Sequence, residues 1–218
     1  MDYEVLTLAG LWNSGPAHWQ TCWEQKHPTW VRVPHRDWET PDREEWVAEL
    51  DAAIARCERP PVLAAHSLGC ALVTRWAASG SAHRIAGALL VAPSDTDAPS
   101  YPGCTTGFQP MRLERLPFPS IVIASTDDPY VSPERARQFA TAWGSDYTKI
   151  GNAGHINGDA ATAPGRKAKS CCWTSAKKPS VEGTRARAAS VADAGAATPE
   201  KIRANKYLLK HVGRISEA

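Results

Sequence analysis

Ser67, Asp128 and His155 occur in that chain order, each close behind a short apolar run. A serine, a carboxylate and a histidine can together run nucleophilic catalysis. The imidazole takes the serine proton as the hydroxyl attacks, and the carboxylate orients the imidazole. Ser67 lies in AAHSLGCALV (residues 64–73), a stretch that resembles the G-x-S-x-G nucleophile elbow with Ala65 at its first glycine and Gly69 at its second. Ala for Gly adds one methyl, a tolerable departure. Taken singly, Ser67 also reads as a helix N-cap, Asp128 as a turn former ahead of Pro129, and His155 as a loop histidine beside Gly154. Their order at successive strand ends selects the catalytic reading, the carboxylate coming from the Asp127-Asp128 pair. His66 is expected to point away from Ser67, so adjacency does not make it the base. For the oxyanion of a tetrahedral intermediate, Leu68 offers the backbone N–H that follows the nucleophile. The second donor is expected from AGLWNSG, at Leu11, with Trp12 as the alternative. Trp12 and Trp38 are candidates to line an acyl pocket, core or rim packing being the plainer account of any one of nine tryptophans.

Those residues need a scaffold that brings distant strand ends together. Tyr3–Leu8, Trp30–Val33, Val62–Ala65, Ile85–Ala92, Ser120–Ala124 and Tyr147–Ile150 read as strands. Helical patterns fall between them. Trp19 and Trp23 share a face in 17–26, and Thr40-Pro41 looks like a helix start. Trp46, Leu50, Ile54 and Cys57 then form one apolar stripe. Gly69–Ala78 and a helix opened by Ser132-Pro133 through Trp143 complete the set. Strand–helix alternation predicts an α/β fold, an open and mostly parallel sheet flanked by helices. Right-handed crossovers then gather Gly10–Pro16, His66–Gly69, Ser125–Val131 and Gly151–Asn157 at the carboxyl edge. The Pro- and Gly-rich connection Pro93–Pro119 reads as an entrance loop that shapes the pocket.

A chain of 218 residues, 43% of them hydrophobic, can bury one domain or one domain plus a tail. No run of about 18 apolar residues predicts a membrane span, and the acidic start MDYEVLTLAG has no basic, apolar leader. A cytoplasmic protein without membrane contact is expected. Six cysteines, at 22, 57, 70, 104, 171 and 172, make no C-x-x-C pair, so free thiols are expected and Cys70 reads as a core residue. No metal and no organic cofactor is called for. The oligomeric state is left open.

GLWNSGPAHW, RDWETP, AHSLG, STDDPYV and GNAGHIN together resemble a small serine-hydrolase family. It contains bacterial YdeN-like α/β-hydrolases and vertebrate retinoblastoma-binding protein nine. The resemblance spans residues 3–158 and implies an α/β-hydrolase fold without a large lid, with Ser67, Asp128 and His155 as the triad. The L-x-C-x-E motif that binds retinoblastoma protein has no counterpart, since Cys57-Glu58 lacks its spacing, and that partner is not carried over. The expected activity is cleavage of a small-molecule carboxylic ester or thioester through an acyl-enzyme. A non-catalytic binding protein on the same fold, its triad disabled, is the alternative.

The chain changes character near residue 159, so residues 1–158 are read as the hydrolase domain. Residues 159–218 hold 12 of the 25 basic and 5 of the 23 acidic residues, a balance of +7 against −5 for residues 1–158. The family fold calls for a last amphipathic helix after GNAGHIN, whereas 159–197 is polar, basic and aperiodic and reads as disordered. A basic tail for nucleic acid lacks interleaved aromatics or a basic helical face, and that partner is not expected. A frameshift accounts for the segment better. With suitable codons, one adenine restored after the Asp159 codon turns Ala160–Trp173 into SGYGPWPEGEKLLL, which resembles the family's approach to its last helix. Thr198-Pro199-Glu200 opens a candidate short helix over 198–218.

Overall fold

Alternation along each strand decides which layer its residues join. The computed structural model describes residues 3–81, 83–158 and 207. Within them six strands form one sheet: β1 (Val5–Leu8), β2 (Trp30–Arg32), β3 (Val62–His66), β4 (Gly87–Val91), β5 (Ser120–Ala124) and β6 (Asp146–Lys149). Their order is β2-β1-β3-β4-β5-β6 and every pairing is parallel. In β3, Leu63 and Ala65 enter a core shared with α2 (Arg43–Ala55), α3 (Leu68–Ala77) and α4 (Pro133–Trp143). Val62 and Ala64 enter the opposite core with Trp19 and Trp23 of α1 (Trp19–Lys26) and with Trp30. Burial on both faces is why β3, β4 and β5 are continuous apolar runs.

The expected elements are present, with shifted ends. The helix placed at Thr40-Pro41 starts at Arg43, because the Asp42 carboxylate caps it and accepts the Glu44 and Glu45 N–H groups at 2.8 and 3.2 Å. A charged cap also gains from the helix dipole, which a threonine does not. Trp46, Leu50 and Ile54 are buried, whereas Cys57 lies past the helix end and is half-buried. Residues 93–119 form no strand or helix and are tied down by side chains. Arg135 Nε and Nη2 reach Asp95 at 2.9 and 3.1 Å, and Nη2 reaches Asp97 at 3.0 Å. Gln109 donates to the Thr96 carbonyl at 2.6 Å, and Arg75 to that of Phe108 at 2.8 Å.

The basic segment 159–197 and the candidate helix 198–218 lie outside the described residues, save Tyr207, whose ring meets that of Tyr3 edge-on at 5.0 Å. No described helix is long and apolar enough to cross a membrane. Cys57, Cys70 and Cys104 are free thiols, and Cys70 is fully buried.

Among the described glycines, Gly69 behind the elbow leaves the least room for a side chain. A Cβ on Gly69 would sit 2.5 Å from the Leu8 carbonyl oxygen and 3.0 Å from that of Ala9. Both are backbone atoms, so strand and helix would have to part. Gly69→Ala is expected to lower the unfolding free energy by about 2–3 kcal/mol, at the upper end of overpacking costs, measured by urea denaturation. Gly103→Ala, where a Cβ meets open space, should change it by about 0.5 kcal/mol or less.

Candidate active site

The turn from β3 into α3 holds Ser67 at φ 55°, ψ −121°, a region L-residues rarely adopt. Such a conformation costs about 1–3 kcal/mol and persists only where its surroundings impose it. Ser67 N–H donates to the Val91 carbonyl at 3.0 Å, which ties the turn to β4. Ser67 occupies the N-cap position of α3 yet makes no capping bond. Its Oγ lies instead 2.8 Å from His155 Nε2. His155 Nδ1 is 3.0 and 2.9 Å from the two carboxylate oxygens of Asp128, whose side chain is fully buried. The structure thus brings together Ser67, His155 and Asp128, from the ends of β3, β6 and β5.

Asp127 does different work. Its Oδ1 accepts the N–H groups of Ala153 and Gly154 at 2.9 and 2.7 Å and lies 2.7 Å from Ser125 Oγ. Those hydrogen bonds, Ser125 first, hold its carboxyl below the usual carboxylate range. Asp127 therefore fixes the loop that carries His155, while Asp128 reaches the imidazole. The His66 Nε2–H donates to the His155 backbone carbonyl at 2.8 Å. The strand that carries the serine thus also grips the histidine's main chain. His66 completes a file of rings, 4.6 Å from His18 and 4.9 Å from His155, with Tyr130 4.6 Å beyond.

The loop after β1 passes against the serine. A Cβ on Gly10 would come 2.8 Å from Ser67 Cβ and 3.1 Å from Oγ, so only glycine lets this loop close on the site. Trp12 N–H donates to the Trp38 carbonyl at 3.1 Å, which removes Trp12 as an oxyanion donor. No acceptor for the Leu11 N–H is found among the described residues, and the Leu68 N–H belongs to the first helical turn, where none exists within the helix. Gln20, fully buried, donates to the carbonyls of Leu8 and Ala64, both at 2.9 Å, and accepts from Ser14 at 2.7 Å. Arg32, paired with Glu24 at 2.8 Å, donates to Asn13 Oδ1 and the Ser14 carbonyl at 2.9 and 2.8 Å.

A cavity of about 430 Å³ opens over Ser67, with Leu11, Trp12, His18, Tyr101 and Tyr130 among its walls. Trp12 is 59% exposed there. Trp38 does not line it, a correction to the pocket expected from sequence. Its indole packs edge-on to Trp46 at 5.5 Å and to His35 at 4.9 Å, where burial repays a large ring better than the site's rim does. Ser94, not singled out in the sequence, places its Oγ 2.8 Å from Ser67 Oγ. Among the described residues no cluster of three His, Cys, Asp or Glu side chains could hold a metal ion.

A family model described as serine hydrolase matches residues 5–165. No curated protein matches the chain. Among solved structures, a YdeN-like hydrolase from Pectobacterium atrosepticum is 32% identical, covers 74% of this chain and 83% of its own, and superposes with a TM-score of 0.64. The ydeN gene product of B. subtilis is 20% identical over 72% of this chain and 90% of its own, with a TM-score of 0.60. A thermophilic esterase from Thermogutta terrifontis shares the fold at 16% identity, with coverage of 71% and 83% and a TM-score of 0.55. The fold is that of the α/β-hydrolases.

Burial makes part of this site sensitive to acid. His18 is pushed down to about 3, by burial first and then by Arg32 and His155. Burial likewise holds His66 well below the ordinary histidine value. The unfolded chain binds protons on both below about pH 6.5, and the folded chain refuses them. Stability is therefore full above that pH and falls as pH drops, by about 1.4 kcal/mol per pH unit for each histidine. Urea denaturation between pH 6.5 and 5 is expected to show a shallower slope for His66→Gln, by about one proton. Gln is long enough to keep a donor near the His155 carbonyl.

Proposed function

Because the chain belongs to the serine hydrolase family, we propose that it cleaves a small carboxylic ester or thioester through an acyl-enzyme. The observation that carries this reading is the continuous contact from Ser67 Oγ through the His155 ring to the buried Asp128 carboxylate. Ser67 Oγ attacks the acyl carbon as its proton passes to His155 Nε2, and Asp128 stabilises the imidazolium that results. The carbonyl oxygen gains the charge and is held by the N–H groups of Leu68 and Leu11. The bond to the leaving alcohol or thiol breaks, and that group departs with the proton from Nε2. Water then gives a proton to His155 and attacks the acyl carbon. Ser67 Oγ leaves with that proton and the free acid is released.

The cavity fits an uncharged acyl group. Among the described residues no lysine or arginine lines it, and its aromatic walls suit apolar substituents. Trp12 is assigned to this pocket and Trp38 to the core behind the loop. No metal or organic cofactor enters the scheme. A reducing, cytoplasmic setting agrees with the free thiols of Cys57, Cys70 and Cys104.

A fluorophosphonate probe tests the proposal, since it phosphonylates only an activated serine. The full chain should be labelled, Ser67→Ala should not, and His155→Ala should be labelled about 10²–10⁴-fold more slowly. A folded chain that takes no label would instead be a binding protein on a hydrolase fold.

A further inference from the structure

We propose that Ser94 is a further catalytic residue, whose hydroxyl donates a hydrogen bond to the Ser67 nucleophile and stabilises the charge that forms on its oxygen. The inference rests on the serine-hydrolase reading above and adds a participant to it. The two Oγ atoms are 2.8 Å apart, an ordinary distance for a bond between hydroxyls. The direction of that bond follows from the protons around it. The Asp128 carboxylate accepts at His155 Nδ1, so the ring proton sits there and Nε2 is left as an acceptor. Ser67 O–H must then donate to Nε2, 2.8 Å away. Its only hydrogen is committed, and the bond between the serines can form only with Ser94 as donor.

A donor aimed at the nucleophile stabilises both the resting hydroxyl and the oxygen that loses its proton. The sign of its effect depends on which gains more. Hydrogen bonds to a charged acceptor are about twice as strong as those between neutral partners, so the charged state gains more and the barrier falls. Microscopic reversibility extends this to deacylation, where charge returns to the same oxygen as the acyl bond breaks. No bond to Ser94 is made or broken and its proton stays with it.

Ser94 is held independently of this contact. It follows β4 by three residues, beyond Ala92, whose N–H donates to the Ile123 carbonyl at 2.8 Å, and buried Pro93. Asp95, the next residue, is clamped by Arg135. The hydroxyl therefore reaches the nucleophile from the strand on the far side of β3 from the Leu11 loop. It lines the substrate cavity and is only half-buried, so losing the Oγ atom leaves no sealed void.

The test uses the full chain and its Ser94→Ala and Ser94→Thr variants. Two rates are measured, fluorophosphonate labelling of Ser67 and kcat/KM for p-nitrophenyl acetate, with thermal melting of each variant. We expect Ser94→Ala to lose about tenfold in both rates, as loss of one charge-assisted hydrogen bond implies. Ser94→Thr, which keeps the hydroxyl, should recover most of the loss, and all three proteins should melt alike. Labelling of Ser94→Ala at the unaltered rate overturns the proposal, as does an equal loss in Ser94→Thr. A full chain that takes no label at Ser67 overturns the parent reading and this one together, whereas normal Ser67 labelling with an indifferent Ser94→Ala overturns only this one.

Discussion

The site depends on one steric constraint, the approach of α3 to the end of β1. Gly69 brings the helix so close that a methyl group would fall within 2.5 Å of the Leu8 carbonyl oxygen. That closeness leaves the chain only Ser67 and one peptide on either side in which to turn from strand to helix. The serine backbone is forced to a positive φ, and its side chain is thrown toward the carboxyl edge of the sheet. From the other side, Gly10 lets the loop after β1 lie against the serine. Two residues without side chains thus fix where the Ser67 oxygen stands. The free energy stored in that turn is supported by the buried residues of β3 and β4 around it.

The remaining groups are then positioned by division of labour between neighbours. In STDDP the first aspartate accepts backbone N–H groups and shapes the His155 loop, while the second meets the imidazole. In AHS the histidine holds the main chain of His155 and the serine meets its side chain. Each pair works because successive residues after a strand point in different directions. His66 can serve as a fixed neutral donor because burial denies it a proton. Its neighbour His18 is neutral for the same reason, so two rings of the file, His18 and His66, carry little charge beside His155.

Much of this was legible in the sequence because it is carried by local pattern. Apolar runs marked the strands to within a few residues, and the order of Ser67, Asp128 and His155 at strand ends is a topological signal. Asp128 over Asp127 came only with the family motif, since both stand in the same turn. What stayed hidden depends on contacts across tens of residues. Gln20 bridges the ends of β1 and β3, and Arg32 reaches from an edge strand to the loop at Asn13, yet both look like ordinary polar residues. Trp38 is not placed by its pattern, because a loop position near the site says nothing of which way an indole turns. Ser94 lies in a stretch without period, where no spacing rule points to a partner. Asp42 was overlooked for the opposite reason, a familiar Thr-Pro start drawing attention away from the stronger cap behind it.

The irregular connection between β4 and β5 gives the molecule one more property. It contributes cavity wall at Ser94–Asp95 and Ser100–Pro102 but no strand to the sheet, and its ties run to Arg135 and Arg75 on two helices. Between Asp97 and Thr106, whose backbone is tied to Pro41 and Arg43, residues 98–104 are a roof resting on pillars. Such a roof can be re-tiled, by drift or by a library confined to those seven positions, without disturbing the masonry that holds Ser67. The cavity wall and the frame that holds Ser67 are therefore separately heritable in this chain.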